Sequence, residues 1–229
     1  MIGGDEFGEL WSERFGRPRP EKIICVGLNY HDHAAEQGVE LPREPLLFGK
    51  FANTICGPGD AIVLPPQGGH VDAEAELAIV IGSRARRVSV GDALSVVAGY
   101  TCANDVSARD LQFTDGQWLR GKGFDTFCPV LPTIAPVETL GDAGDLRIVQ
   151  RLNGELLQDS RTSKLIFGVR ALVAHASSVF TLEPGDLILT GTPSGVGVFR
   201  QPPIPLRPGD EVEVEIEGIG ALRNPIASE

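Results

Sequence analysis

The triplet Pro-Gly-Asp occurs three times in this chain, and each copy stands directly before a short run rich in β-branched residues. The copies begin at Pro58, Pro184 and Pro208 and lead into AIVLP, LILTG and EVEVEI. Proline presets φ near about −65° and glycine accepts positive φ, so the pair favours a type II turn. With 28 glycines and 17 prolines among 229 residues, the sequence predicts many short strands joined by tight turns.

Other segments extend this pattern. Further strands are predicted at residues 22–27, 76–82, 98–103, 146–152 and 220–224. Asn153-Gly154 is typical of a type I′ hairpin turn. Apolar residues recur at helical spacing from Ser163, as N-cap, to Phe180, and shorter helices fit residues 29–37 and 92–98. We therefore expect a short lead over residues 1–20 and one mainly β (α+β) domain over residues 21–229.

Charge and composition exclude several classes of partner. With 20 Lys+Arg against 31 Asp+Glu, the formal net charge is −11 at pH 7, so nucleic acid is not an expected partner. No apolar stretch approaches the roughly 18–20 residues of a membrane-spanning helix, and the first 20 residues lack the apolar core of a signal peptide. We expect a cytoplasmic protein. Its cysteines form no CxxC pair and are predicted to be buried thiols: Cys25, Cys56, Cys102 and Cys128.

A first candidate site lies where acidic residues alternate before a buried strand. Asp72, Glu74 and Glu76 would share one strand face, with neighbours about 7 Å apart. Two such carboxylates can converge on a magnesium, manganese or calcium ion, since these cations prefer oxygen ligands. The alternative is a solvated face. Four glutamates at positions 211, 213, 215 and 217 repeat the same alternation, and a solvated face is the interpretation we give them.

A second candidate site is the segment NYHDHAAE, residues 29–36. In a helix, His33 and Glu36 are i, i+3 neighbours, and a carboxylate on one imidazole nitrogen makes the other a better general base. His31 lies about 200° round the helix from His33, so it does not share that partner. The alternative is a surface helix with incidental charges.

Two further segments leave alternatives open. Asp105 follows a predicted strand and is either a site residue or a helix N-cap. The stretch TGTPSGVG, residues 190–197, exposes glycine N–H groups that could hold a carboxylate or enolate oxygen, or it is a plain turn. It lacks the lysine and spacing of a P-loop.

Five motifs in chain order resemble the fumarylacetoacetate hydrolase family: GLNYHDHAAE, VDAEAELAIVIG, GYTCANDVSARD, KGFDTFCP and LILTGTPSGVG. The similarity runs from about Ile23 to the C-terminus. EPLLFGKFANTICGPGD and GVGVFRQPP are most similar to the branch labelled 2-hydroxyhepta-2,4-diene-1,7-dioate isomerases. Ala73 stands where many relatives have an aromatic residue, and we expect it to open the pocket wall. The resemblance implies a mixed β-roll or partly open barrel with few short helices, and a homodimer.

The resemblance also implies a set of site residues. It places Mg²⁺ or Mn²⁺ on Glu74, Glu76 and Asp105, with Ca²⁺ as an alternative ion. His33 and Glu36 become the acid/base dyad, and Lys122 joins them as a catalytic residue. Arg109 and Gln112, with Lys122, would bind the substrate carboxylate or enolate, and Thr192 would help hold the substrate's oxygens.

These parts imply an enzyme acting on a small 2-oxo carboxylate or 1,3-dicarbonyl acid through a metal-stabilised enolate. We take C–C bond hydrolysis of an acylpyruvate or fumarylpyruvate as the default expectation. The alternatives are an isomerase or tautomerase, for example on oxaloacetate or a 2-hydroxy-dienedioate, and a decarboxylase. A non-enzymatic metal- or ligand-binding β-barrel is the rival from another class, and it would need no proton-transfer dyad.

Overall fold

The computed structural model describes residues 6–67 and 69–229. That part of the chain forms fifteen strands and six α-helices, together with four 3₁₀ turns. The strands are β1 (Ile23–Gly27), β2 (Leu46–Lys50), β3 (Ile55–Cys56), β4 (Ile62–Leu64), β5 (Val71–Asp72), β6 (Ala75–Ile81), β7 (Val97–Asn104), β8 (Ser107–Ala108), β9 (Cys128–Pro129), β10 (Ala135–Pro136), β11 (Arg147–Leu152), β12 (Glu155–Arg161), β13 (Leu187–Leu189), β14 (Glu211–Ile216) and β15 (Gly220–Ser228). The helices are α1 (Glu6–Phe15), α2 (His31–Gln37), α3 (Arg109–Asp115), α4 (Leu119–Lys122), α5 (Val137–Leu140) and α6 (Val169–Val179).

Two mixed sheets carry the fold. The six-stranded sheet has the order β10-β7-β6-β13-β1-β2, and the five-stranded sheet has the order β12-β11-β14-β15-β4. Most neighbours are antiparallel, but β1 pairs with β13 and β4 with β15 in parallel. Within the described residues neither sheet closes on itself, so the predicted mixed, partly open β-roll is confirmed.

Local turn chemistry explains how these strands are joined. Asn153 and Gly154 have φ of 53° and 83°, as a type I′ turn between β11 and β12 requires. The glycines of the three Pro-Gly-Asp turns have φ between 80° and 93° and stand before β4, β13 and β14, as predicted.

Strand β6 is buried along its whole length because both faces of the six-stranded sheet are covered. Leu77 and Ile79 face the core shared with α6 and the five-stranded sheet. Ala78 and Val80 face the core shared with α1, where Trp11 donates its indole N–H to a backbone carbonyl. Acidic side chains at the start of β6 are therefore held out of water. All four cysteines are free and buried, as predicted.

The helix predicted from Ser163 begins later, and that part of the prediction is wrong. Helix α6 starts at Val169. The backbone N–H groups of Ile166 and Phe167 donate to the main-chain and side-chain oxygens of Asn29, each at 2.8 Å. These long-range hydrogen bonds tie the segment to Asn29 after a 3₁₀ turn at Thr162–Lys164, so its apolar periodicity does not continue the helix.

Smaller predictions also change. The helix predicted at 92–98 is a 3₁₀ turn at Ala93–Val96, after which β7 begins. Asp105 is not an N-cap, because Ala108 takes that position for α3. Helix α1 lies within the predicted lead. No helix in the described ranges combines the length and apolarity needed to cross a bilayer.

Candidate active site

Three carboxylates meet at the end of the β6–β7 pair. Glu74 directly precedes β6, Glu76 lies in β6, and Asp105 directly follows β7. Because β6 and β7 are antiparallel, with Ala75 opposite Asn104, Asp105 arrives beside Glu74 and its backbone N–H donates to the Glu74 carbonyl at 3.0 Å. One carboxylate oxygen from each residue lies within 4.8 Å of the others, and all three side chains are buried. We call these three residues the carboxylate triad.

Asp72 does not join the triad, although the alternating pattern placed it there. Strand β5 pairs with β8 while β6 pairs with β7, so the chain does not run as one strand from Asp72 to Glu76. The Asp72 carboxylate instead accepts the backbone N–H groups of Gly197 at 3.0 Å and Val198 at 2.9 Å. Its role is to hold the chain segment that follows β13.

The predicted basic residues do lie against the triad. Lys122 Nζ donates to Glu74 at 2.7 Å and to Asp105 at 2.6 Å. Arg109 donates to Glu74 at 2.6 Å and to the Gln112 side chain at 2.9 Å. Burial alone would raise the pKa of Glu74, but Arg109 and Lys122 outweigh it and hold that pKa below its usual range.

Lys50 is a further buried cation at the triad. Its Nζ donates to the carbonyls of Val106, Lys122 and Phe127 at 3.0, 2.8 and 2.6 Å, and lies 2.7 Å from Asp105 Oδ1. An ammonium has three hydrogens, and the carbonyls take all of them. Asp105 Oδ1 therefore receives positive charge but no hydrogen bond, and it is a buried oxygen without a donor.

Glu76 is the least compensated member of the triad. It accepts the backbone N–H of Gly191 at 2.7 Å, and within the described chain it forms no ion pair. Burial, reinforced by the charges of Asp105 and Glu74, raises the pKa of Glu76 well above its usual value. Burying an uncompensated charge costs several kcal/mol. A cation that prefers oxygen ligands would engage both Glu76 and the Asp105 oxygen that receives no hydrogen bond, so the triad fits Mg²⁺ or Mn²⁺, with Ca²⁺ as a further ion of this kind.

Helix α2 carries the predicted acid/base pair. His33 Nδ1 lies 2.9 Å from Glu36 Oε2, so the predicted i, i+3 contact is present. Because a carboxylate only accepts hydrogen bonds, Nδ1 carries the hydrogen and Nε2 keeps its lone pair. The Gln37 amide donates to that lone pair at 2.7 Å. His33 is buried and His31 is exposed, which assigns the pair to one histidine.

Backbone N–H groups of the loop at residues 190–195 donate hydrogen bonds to carboxylates of the protein itself. The N–H groups of Gly191, Ser194 and Gly195 donate to Glu76, Asp32 and Glu36 at 2.7, 3.3 and 2.9 Å, respectively. Both glycine amides are therefore occupied by protein carboxylates, so they are not the free donors that the sequence suggested. The loop instead ties α2 to the triad.

A cavity of about 230 Å³ brings these groups together. Its buried lining is mostly polar or charged: His33, Glu74, Glu76, Asp105, Arg109, Gln112, Lys122 and Thr192. Its exposed lining is largely apolar, with Val39, Leu46 and Phe113. Ala73 is not among the lining residues and packs in a core, so the expectation that it opens the pocket wall is wrong. Among its described lining residues, a neighbouring cleft of about 520 Å³ has no titratable side chain, so the smaller cavity is the candidate active site.

One cavity is lined by a histidine that a carboxylate orients and by a cluster of three buried carboxylates, and this arrangement is typical of an acid–base enzyme. The family model described as fumarylacetoacetate (FAA) hydrolase C-terminal matches residues 22–227. The chain therefore belongs to the fumarylacetoacetate hydrolase family, and it is an enzyme of that family.

Several proteins similar to this chain have named activities. Oxaloacetate tautomerase Fahd2a, mitochondrial, from Rattus norvegicus is 50% identical over 209 residues, which cover 91% of this chain and 67% of that protein. The structure of 2-hydroxyhepta-2,4-diene-1,7-dioate isomerase from Mycobacterium marinum has 46% identity and a TM-score of 0.82, covering 93% of this chain and 77% of that one. Fumarylpyruvate hydrolase from Pseudomonas aeruginosa in complex with Mn²⁺ and pyruvate has 32% identity and a TM-score of 0.83, covering 92% and 91%.

Proposed function

We propose that this chain is a divalent-metal-dependent tautomerase that interconverts the enol and keto forms of a short 2-oxo dicarboxylate such as oxaloacetate. The observation that carries the proposal is the single cavity lined by both His33, which is paired with Glu36, and the carboxylate triad. Tautomerisation needs one proton moved between carbon and oxygen, and this pair supplies a base with a fixed lone pair. Identity of 50% to oxaloacetate tautomerases supports the same reaction.

In the keto-to-enol direction His33 Nε2 takes the proton from the carbon beside the 2-oxo group and delivers it to the 2-oxo oxygen. In the enol-to-keto direction the same nitrogen takes the enol proton and delivers it to that carbon. Glu36 keeps the hydrogen on Nδ1 and stabilises the imidazolium that results. The Gln37 amide donates to the lone pair of His33 Nε2, so it must move aside when the substrate binds there. Arg109, Gln112, Lys122 and Thr192 bind the substrate's oxygens. A divalent ion held by the triad would polarise the carbonyl and stabilise the negative charge that develops as the proton leaves.

The charge count explains why an ion and an anionic substrate belong together. With every carboxylate ionised, four buried acids, Asp72 and the triad, face three buried cations, Lys50, Arg109 and Lys122, which leaves one net negative charge. A bound divalent ion would favour that ionised state and would turn the balance to one net positive charge. The site would then attract a dianion.

The lining of the cavity favours a short substrate. Among its described lining residues, the permanent cations are Arg109 and Lys122, and both are buried. The exposed part of the lining has no basic residue. A four-carbon dicarboxylate keeps both carboxylates at the charged end, whereas a seven-carbon dienedioate would extend its far carboxylate into the apolar entrance.

C–C bond hydrolysis, the default expectation from sequence, is the second candidate. The fumarylpyruvate hydrolase neighbour, solved with Mn²⁺ and pyruvate, supports it. Both reactions would use the same base and the same ion. The tautomerase and isomerase names among relatives of higher identity support tautomerisation over hydrolysis.

The test follows two reactions with metal-loaded enzyme. We expect accelerated loss of enol-oxaloacetate absorbance, and no comparable pyruvate release from an acylpyruvate. Pyruvate release without acceleration of enol loss would replace the tautomerase with the hydrolase. Inactivity in both assays would reject both candidate reactions.

The homodimer and the cytoplasmic location stay predictions. Light scattering on the purified protein checks the first, and fractionation of the native cells checks the second.

A further inference from the structure

Gln158 is a buried glutamine that connects the two sheets beside the active site. It lies in β12 of the five-stranded sheet, and its relative exposure is 0%. Its Oε1 accepts the backbone N–H of Ala75, which lies between two triad residues, at 2.9 Å. Its Nε2 donates to Thr192 Oγ1 and to the Pro193 carbonyl, each at 2.8 Å.

Only one assignment of donors and acceptors fits these contacts. The Ala75 N–H can only donate, so it must meet Oε1. The Pro193 carbonyl can only accept, so it must meet Nε2. The second N–H of the Gln158 amide then points at Thr192 Oγ1, which must accept it.

Thr192 keeps its own hydroxyl hydrogen free. Among the described contacts, that hydrogen goes to no protein acceptor, and Thr192 lines the cavity. A hydroxyl whose acceptor side is occupied by Gln158 is a donor on its other side. Its natural partner is an oxygen that accepts, such as a carboxylate or 2-oxo oxygen.

We propose that Gln158 is a positioning residue that fixes the Thr192 hydroxyl as a hydrogen-bond donor to an acceptor oxygen of the 2-oxo acid. This inference rests on the proposed function. Because the same amide holds Ala75 between Glu74 and Glu76, it also sets the spacing between that donor and the carboxylate triad.

The test is a double-mutant cycle with pyruvate as the probe. Thr192→Val removes the hydroxyl. Gln158→Glu keeps an acceptor for the Ala75 N–H but has no N–H, so Thr192 turns its hydrogen towards position 158. Pyruvate affinity is measured by calorimetry on Mn²⁺-loaded protein. We expect each single variant to bind about tenfold more weakly, the effect of one hydrogen bond, and the double variant to bind no more weakly than either single one.

A matched control separates this role from a structural one. Gln150 lies opposite Gln158 in the β11–β12 register and is also buried, but it makes no contact with Thr192. Gln150→Glu should leave pyruvate affinity within about twofold of wild type. A Gln150→Glu loss equal to that of Gln158→Glu, or losses at 158 and 192 that multiply in the double variant, would overturn the proposal.

A second pair of variants does not depend on position 158. Thr192→Ser keeps the hydroxyl and should lose much less pyruvate affinity than Thr192→Val, whereas equal losses overturn the proposal. Enol-oxaloacetate turnover by wild type is measured alongside. Failure of that turnover, with the cycle behaving as expected, counts against the tautomerase and leaves the positioning role standing. Normal turnover together with a failed cycle counts against the positioning role and leaves the tautomerase standing.

Discussion

Two stretches of this chain place glutamates at every second position and yet end in opposite environments. Glu74 and Glu76 are buried at the start of β6. Glu211, Glu213 and Glu215 lie along β14, where the alternate residues Val212, Val214 and Ile216 are buried and the glutamates face outward. Alternation decides which side chains share a face, but it does not decide what covers that face.

The neighbours of each stretch produce opposite effects on ionisation. Partial burial raises the pKa of Glu213, but hydrogen bonds from Arg223 and Arg151 outweigh it, so that pKa lies below its usual range. The pKa of Glu76 lies well above its usual range, because burial and two nearby carboxylates act on it together. On the β14 face, arginines compensate the glutamates and the face is a stable surface. The buried face at Glu76 lacks such a compensating side chain, and this makes it a site for a cation.

Removing divalent metal should have the largest effect, because only the buried face depends on a cation. Treatment with EDTA should abolish turnover of enol-oxaloacetate, and Mn²⁺ or Mg²⁺ should restore it. A denaturation curve of the chelated protein would serve as the control that the protein stays folded without metal. Full turnover in protein shown to be metal-free would contradict the distinction between the two faces.

Loss of the base should come next. His33→Ala should lower kcat by roughly 10²–10⁴, the usual range for a general acid/base, while Mn²⁺ affinity stays near that of wild type. Steady-state kinetics and a metal titration check both parts. His31→Ala is the matched control on the exposed side of the same helix and should keep nearly full kcat. Retention of most of the kcat in His33→Ala would move proton transfer to Lys122.

The cations of the two regions should differ in their contribution to stability. In metal-free protein, Lys50→Met leaves Asp105 and three buried carbonyls without their partner, so the free energy of unfolding should fall by about 3–5 kcal/mol. Arg151→Met removes a partner of the solvent-facing glutamates and should cost less than about 1 kcal/mol. Urea denaturation measures both. Similar costs for the two variants would show that burial does not separate the regions.

The smallest effect should come from the β14 acids themselves. Glu213→Gln should change the free energy of unfolding by less than about 1 kcal/mol, and by still less at high salt. Its turnover should equal that of wild type. Activity lost in Glu213→Gln with an unchanged melting temperature would mean that β14 has a role in the site.

The sequence was most informative where structure depends on neighbouring residues. The Pro-Gly-Asp turns and the Asn153-Gly154 hairpin were predictable, because each turn depends on the φ values of adjacent residues. The start of α6 was not, since Asn29 holds the preceding segment from 138 residues away.

The same division holds for the site. The pairing of His33 with Glu36 follows from helix geometry over four residues. Periodicity alone grouped Asp72 with two triad residues, and only the family resemblance brought in Asp105. Lys50 and Gln158 had no local signal, because Lys50 bonds residues 56 to 77 positions away and Gln158 bonds residues 34 to 83 positions away. Their contacts form only in the folded chain: Lys50 in β2 meets segments that follow β7, and Gln158 connects the two sheets.

A Mn²⁺ titration of three proteins, followed by electron paramagnetic resonance, tests the central claim most directly. The account predicts one tightly bound ion per chain in wild type and in Glu213→Gln, and loss of that binding in Glu76→Gln. Equal Mn²⁺ binding by Glu76→Gln and wild type would contradict the account, because it would place the ion away from the carboxylate triad.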